Sequence, residues 1–146
     1  MSIVNTLALE SNRQIKINFD GMTGDLIKIR LCDGTQYSCT GVVDFLQPVL
    51  DEYLHDYPEI PILLRGDSGF STPDLYKQCE ENGTSYVIRL KENGILRGKA
   101  GKNQIVYMYT FVVTNMDSLP EYLIKFCYKR GLMENFIGVL CHFMLQ

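Results

Sequence analysis

Ile60-Pro61-Ile62-Leu63-Leu64-Arg65-Gly66-Asp67-Ser68-Gly69-Phe70 is the stretch on which the architecture of this chain turns. Ile60, Ile62, Leu63 and Leu64 form an apolar run of strand length that ends at Arg65. It gives way at once to a carboxylate flanked by Gly66 and Gly69. A polar group at the end of a buried strand lies where α/β domains place their chemistry, because the strand ends open into a crevice between the sheet and its loops.

Downstream, Thr72-Pro73-Asp74 carries three helix-start signals in a row: a hydroxyl cap, proline at the first helical position, and an acid favoured by the helix dipole. The helix is expected to stop near Asn82-Gly83, and Ser85–Leu90 reads as the next strand. Strand, helix and strand with short connections make a βαβ unit, which is parallel and right-handed. Upstream, Gln14–Phe19 and Asp25–Leu31 alternate apolar and polar residues around the turn Asp20–Gly24, which predicts a β-hairpin. Between hairpin and βαβ unit, Val42, Leu46, Val49, Leu50, Tyr53 and Tyr57 recur at helical spacing. This helix is expected over Cys39–Tyr57, capped by Ser38 or Thr40, with Pro48 kinking it or starting its main part. Gly94–Asn103 reads as a loop, Val106–Thr114 as a strand, and a helix follows from Leu119. The class is α/β in one domain over residues 1–146, with no repeat or linker to divide it.

Composition narrows the function classes. No apolar run approaches membrane-spanning length, and the N-terminus lacks a basic region and a small-residue cleavage site, so a cytoplasmic protein without membrane association is expected. Five cysteines without CxxC spacing argue against a disulfide framework or a zinc cluster. His55 and His142 are too few for a histidine-rich metal site, and His55 is expected on a helix surface. The net charge of −3 disfavours nonspecific binding to nucleic acid by the whole chain. Charge is unevenly spread, however: Arg89, Lys91, Arg97, Lys99 and Lys102 face only Glu92 within their segment, a distribution able to follow a phosphate backbone.

The central motif admits three readings. Gly66-Asp67-Ser68 resembles the nucleophile block of GDS-type esterases, and with Gly69 it echoes the trypsin-like serine segment, which would make Ser68 a nucleophile. That chemistry needs an oriented histidine base, and neither histidine stands in a matching context. Arg65-Gly66-Asp67 is also an adhesion tripeptide, which would require an exposed extracellular loop. The third reading makes Asp67 a metal ligand.

Support for the third reading comes from several ordered blocks. Leu63 to Tyr76, Cys79 to Asn93, Phe19-Asp20-Gly21-Met22-Thr23-Gly24-Asp25, Val112-Val113-Thr114-Asn115 and Arg130-Gly131-Leu132-Met133-Glu134-Asn135-Phe136 together resemble bacterial insertion-sequence transposases of the DDE type. The resemblance runs from about Phe19 to Ile137. It implies a ribonuclease H-like mixed sheet with flanking helices. It also implies a site in which three carboxylates hold two divalent ions, Mg2+ or Mn2+, for cleavage and strand transfer of transposon-end DNA. Asp67 matches the second aspartate and Glu134 the glutamate, so both are implied metal ligands. Arg130 precedes Glu134 by one helical turn and is implied to hold that carboxylate or a DNA phosphate.

The sequence departs from the family pattern in ways that set further expectations. The family's first aspartate lies on a strand upstream of the Phe19–Asp25 block, yet Met1–Asn18 contain no aspartate, and Glu10 is the sole acid there. Cys127 stands where a tyrosine is expected, Cys141 where a lysine is, and Leu96–Tyr107 is short. The expectation is a truncated copy, incomplete at the N-terminus, with its first strand lost and its catalysis incomplete. The partners expected are transposon-end DNA and a homo-oligomer or a mixed assembly with full-length transposase. The alternative is a non-catalytic α/β module that binds nucleic acid or a transposase partner.

Overall fold

The computed structural model describes residues 2–10, 13–32, 40–91, 111–117 and 121–123. Six strands form one mixed sheet: β1 (Ser2–Glu10), β2 (Arg13–Asp20), β3 (Leu26–Cys32), β4 (Leu63–Gly66), β5 (Ser85–Leu90) and β6 (Phe111–Thr114). Their order is β3-β2-β1-β4-β5-β6. β1–β2, β2–β3 and β5–β6 are antiparallel, whereas β1–β4 and β4–β5 are parallel. Two helices, α1 (Val42–Asp56) and α2 (Pro73–Glu81), a 3-10 turn at Ser68–Phe70 and a helical turn at residues 121–123 are also described.

The hairpin forms as its alternation predicts, and Asp20 builds the turn. Its Oδ1 accepts the N–H groups of Met22 (2.7 Å) and Thr23 (3.1 Å), while its carbonyl accepts that of Gly24. This is the Asx geometry that favours aspartate at a turn. The sequence reading assigned no strand ahead of the hairpin, and the structure adds one there. Ser2–Glu10 is a strand at the centre of the sheet, paired with β2 on one side and β4 on the other. Ile3-Val4-Asn5-Thr6-Leu7 lacks the clean alternation that marks β2 and β3, so it carries no period-2 signal.

The βαβ unit also forms. Thr72 Oγ1 accepts the Leu75 N–H at 3.2 Å, Pro73 opens α2, and Asn82 and Gly83 (φ 68°) close it. β4 starts later than the apolar run suggests: Ile60 and Pro61 are exposed, and Ile62 is the first buried residue. Proline supplies no N–H to a ladder, so pairing begins beyond it.

α1 departs from expectation at its start. Gly41, at φ 67°, is the N-cap and no side chain caps the helix; glycine enters this left-handed conformation without a Cβ penalty. The Thr40 carbonyl instead accepts from buried Lys16 Nζ. Lys28 Nζ donates to the Phe45 carbonyl at 2.9 Å, so two sheet lysines fasten the first turn. Desolvation, then the neighbouring Arg30 charge, lowers the Lys28 pKa. Pro48 lies inside the helix, which begins six residues before it. Its side is exposed, as is Asp44, so the carbonyl that loses its partner can meet water.

Both helices pack on one face of the sheet. Ile3, Leu64 and Tyr86 form one rung across β1, β4 and β5, and they share a core with Phe45, Leu46 and Leu50 of α1 and Leu75 and Cys79 of α2. Fully burying a side chain of this size stabilises by about 1.5–3 kcal/mol.

Candidate functional site

Gly66 is the last residue of β4, and Asp67 stands immediately beyond it, half-buried, where the parallel strands β1, β4 and β5 run side by side. Its backbone is extended (φ −87°, ψ −176°), and Oδ1 accepts the Gly69 N–H at 2.9 Å. That bond caps a 3-10 turn at Ser68–Phe70 and fixes the carboxyl group at the strand end. Phe70 anchors the turn from below, fully buried against Phe45 with ring centroids 6.5 Å apart. A Cβ at Gly66 would stand 3.1 Å from Phe70 Cβ and 3.4 Å from Ile88 Cγ1. Glycine therefore lets the turn fold back over the sheet at this point.

The rival readings of the motif find no support in its surroundings. Ser68 is exposed, and the one described histidine, His55, is itself exposed at the end of α1, with Nδ1 2.8 Å from Asp56 Oδ1. No hydrogen bond joins the two among the described residues. Arg65 is buried within β4, in register with Val4 and Val87, so the tripeptide is not presented on a loop.

Of the basic residues singled out in the sequence, Arg89 and Lys91 are exposed at the end of β5. Arg89, on the strand next to β4, is one residue past Ile88, which pairs with Asp67's neighbour Gly66, and Lys91 follows two residues later, just beyond β5. Arg97, Lys99, Lys102, Arg130 and Glu134 lie outside the described residues, as do positions 106–110 of the expected last strand. Among the described residues no group of three or more His, Cys, Asp or Glu side chains could hold a metal ion. No described helix is long and apolar enough to cross a membrane.

Sequence reasoning missed the placement of three asparagines, two on the rung of Gly66 and one at the opposite end of β5. Asn5, on β1, is in register with Gly66. Asn18, on β2, is in register with Asn5, and it is fully buried. Asn115, just past β6, bridges to β5: its Oδ1 accepts the Tyr86 N–H at 2.9 Å and its Nδ2 donates to the Thr84 carbonyl at 3.0 Å. A single asparagine in a strand carries no sequence signal of such a role. Only the register shows it.

With this geometry in hand, comparison with known proteins gives one finding. The family model described as transposase DDE domain, group 1, matches residues 17–106, more than half of the chain. That span includes the end of β2, β3, both helices, Asp67 and the basic segment, and excludes β1, β6 and the Arg130–Phe136 block. No curated protein matches the chain.

Proposed function

Because the chain belongs to the family of group 1 transposase DDE domains, we propose that it binds DNA at the Asp67 end of its sheet and does not by itself cut or join it. The observation that carries this reading is the position of Asp67, a carboxylate capped in place at the end of β4 between two parallel neighbours. A ribonuclease H-like arrangement belongs to the same reading. Its support is a three-stranded antiparallel edge joined through β1 to parallel β4 and β5.

Family chemistry would use Mg2+ or Mn2+, held by carboxylates, to exchange a phosphodiester at a transposon end. The described residues do not fit such a centre, because among them no group of three or more His, Cys, Asp or Glu side chains could hold a metal ion. Glu134, with Arg130 one turn before it, is proposed as the companion carboxylate of Asp67. Arg89, Lys91, Arg97, Lys99 and Lys102 are proposed to contact the DNA backbone, where each neutralised phosphate releases a counterion. Such a domain would act by occupying transposon ends or by joining a full-length transposase in a mixed assembly.

The test is fluorescence anisotropy with labelled duplex DNA over a salt series, alongside a nicking assay in Mg2+ and Mn2+. Salt-dependent binding without nicking is expected. The combined Arg89→Ala and Lys91→Ala variant should lower the salt slope by about two, roughly one for each lost phosphate contact. Metal-dependent nicking that disappears in Asp67→Asn would overturn the non-catalytic reading, and absence of DNA binding would overturn the rest.

A further inference from the structure

The start of α1 gathers backbone donors and cations. Its first internal bond runs from the Phe45 N–H to the Gly41 carbonyl at 3.0 Å, and no side chain caps the terminus, so the N–H groups of Val42, Val43 and Asp44 remain as donors. Three cations of β2 and β3 stand around that turn. Lys16 is fully buried, and its hydrogen bond among the described residues goes to the Thr40 carbonyl. Lys28 Nζ and Arg30 Cζ lie 5.3 Å and 5.4 Å from the Phe45 ring centroid, and a Cβ at Gly41 would stand 4.0 Å from Arg30 Nη1. Among the described residues, no carboxylate forms an ion pair with any of the three. Asp44 is the acid of that turn, exposed, with Oδ2 4.0 Å from the same Cβ position. Its single charge offsets only part of the positive potential of three cations and a helix N-terminus.

A second, independent observation is Asn18. It is completely buried, yet neither its Oδ1 nor its Nδ2 has a hydrogen-bond partner among the described residues. It stands two residues from Lys16 on β2 and in register with Lys28 on β3, and such positions share one face of a sheet. Both lysines reach α1 from that face, Lys16 at Thr40 and Lys28 at Phe45, so the Asn18 amide is aimed at the start of the same helix. A buried amide costs stability until some group meets it, and a bound ion is such a group. This turn also lies at the Asp67 end of the sheet. Lys16 pairs with Leu7, two residues past Asn5, whose partner on β4 is Gly66. β2 is two strands from β4, a lateral distance of roughly 10 Å.

We propose that the start of α1 is an oxyanion seat, in which the N–H groups of Val42, Val43 and Asp44 together with Arg30 and Lys16 hold one phosphate group, and the Asn18 amide donates to it from the buried side. Helix N-termini take phosphate because their converging N–H groups and the helix dipole both favour negative charge. Arginine adds a planar fork matched to phosphate oxygens. The phosphate is free or belongs to a DNA backbone. Each strand of a duplex carries one phosphate per ~3.4 Å of axis, so a backbone crossing this end of the sheet brings one phosphate to the seat and others toward Asp67. The seat does not depend on Asp67 being a metal ligand.

The test uses the full chain and inorganic phosphate, followed by phosphorus NMR line broadening and by the thermal midpoint, with ionic strength held constant by chloride. Saturable broadening is expected, and a midpoint that rises with phosphate. Arg30→Gln should weaken phosphate binding about tenfold through loss of one charge-assisted contact. Asp44→Asn should tighten it by removing the opposing charge. Asn18→Leu replaces the orphaned amide at similar volume. It should melt no lower than the parent without phosphate and gain less than the parent when phosphate is added. Broadening that does not saturate in the parent, or phosphate binding unchanged by Arg30→Gln, overturns the seat, and so does an Asn18→Leu chain with the parent's full gain. If Asn18→Leu does not fold, Arg30→Gln and Asp44→Asn, both at exposed positions, decide the question. Labelled duplex DNA separates the two sources. Weaker DNA binding by Arg30→Gln supports a DNA phosphate in the seat, and unaltered DNA binding beside weakened phosphate binding supports a free one. Because the phosphate titration needs neither DNA nor Asp67, its failure leaves the proposed DNA binding standing.

Discussion

Asp67 Oδ1 accepts the Gly69 N–H at 2.9 Å, so the carboxylate at the end of β4 is also the cap of the turn that follows. One side chain therefore carries a folding role and a candidate functional role, and the two respond differently to substitution. Asparagine caps as well as aspartate, whereas alanine cannot accept the bond. Asp67→Asn should leave stability within about 0.5 kcal/mol of the parent, and Asp67→Ala should lower it by about 1 kcal/mol, within a range of about 0.5–2 for lost caps. Urea denaturation measures both. Equal losses in the two variants would mean that the charge of Asp67, and not its cap, supports the fold.

Gly66 is constrained by space. Its added methyl group would meet Phe70 Cβ at 3.1 Å and Ile88 Cγ1 at 3.4 Å, and both of those residues are fully buried. Gly66→Ala is expected to destabilise by about 1–3 kcal/mol through overpacking. Adding Phe70→Leu should give a total loss smaller than the sum of the two single losses, because the smaller side chain makes room for the methyl group. Strict additivity in denaturation midpoints would show that the strain is taken up elsewhere.

The parts of the fold that were legible in the sequence are those governed by short-range rules. The Thr72 cap with Pro73 at the first helical position marks the start of α2, and the Asp20 turn with its flanking alternation marks β2 and β3. Asp67 could be picked out for the same reason, since a glycine-flanked acid after an apolar run is a local pattern. β1 was not legible, because Ile3-Val4-Asn5-Thr6-Leu7 lacks the period-2 alternation of a half-buried strand, and with it went the register that places position 5 beside Gly66. Gly41 displaced the hydroxyl caps expected for α1 through a positive φ that only the folded chain requires. Arg130 and Glu134 were reached through resemblance alone, and they lie outside the described residues.

Cys79 tests the core from the side of pH. It is fully buried between α2 and the sheet, and desolvation, followed by the nearby Glu80 charge, pushes its thiol up from 9.0 to about 12. A group whose pKa is raised on folding contributes its stability in full below the unfolded pKa and loses it as pH rises toward the folded one. Stability should therefore fall between about pH 9 and pH 12, and Cys79→Ala should flatten that fall while adding a pH-independent loss of packing. The native thiol should react with iodoacetamide at pH 8 far more slowly than the unfolded chain does, since the thiolate is the reactive form. Reaction at the unfolded rate would place Cys79 outside the core.

Asn115 makes the last prediction, because its two hydrogen bonds demand one donor and one acceptor from the same side chain. Backbone pairing of β5 and β6 includes Val87 with Thr114, and the Asn115 amide takes the next rung by accepting from Tyr86 N–H and donating to the Thr84 carbonyl. Alanine loses both bonds, at about 0.5–1.5 kcal/mol each, and the exposure of Asn115 puts the loss near the lower end of that range. Aspartate is the sharper probe. It keeps the acceptor for Tyr86, but when ionised it sets a negative oxygen against the Thr84 carbonyl, and when protonated it regains a donor. The neutral form is thus favoured by folding, which raises the introduced carboxyl's pKa above the unfolded value of about 3.9. Its contribution is then present below about pH 3.9 and lost as pH rises through the folded pKa. Asn115→Asp should be less stable than Asn115→Ala at pH 7 and should close or reverse that gap near pH 3, read as the difference between their denaturation midpoints. A gap that does not change with pH would mean that Asn115 serves the sheet edge only by filling space.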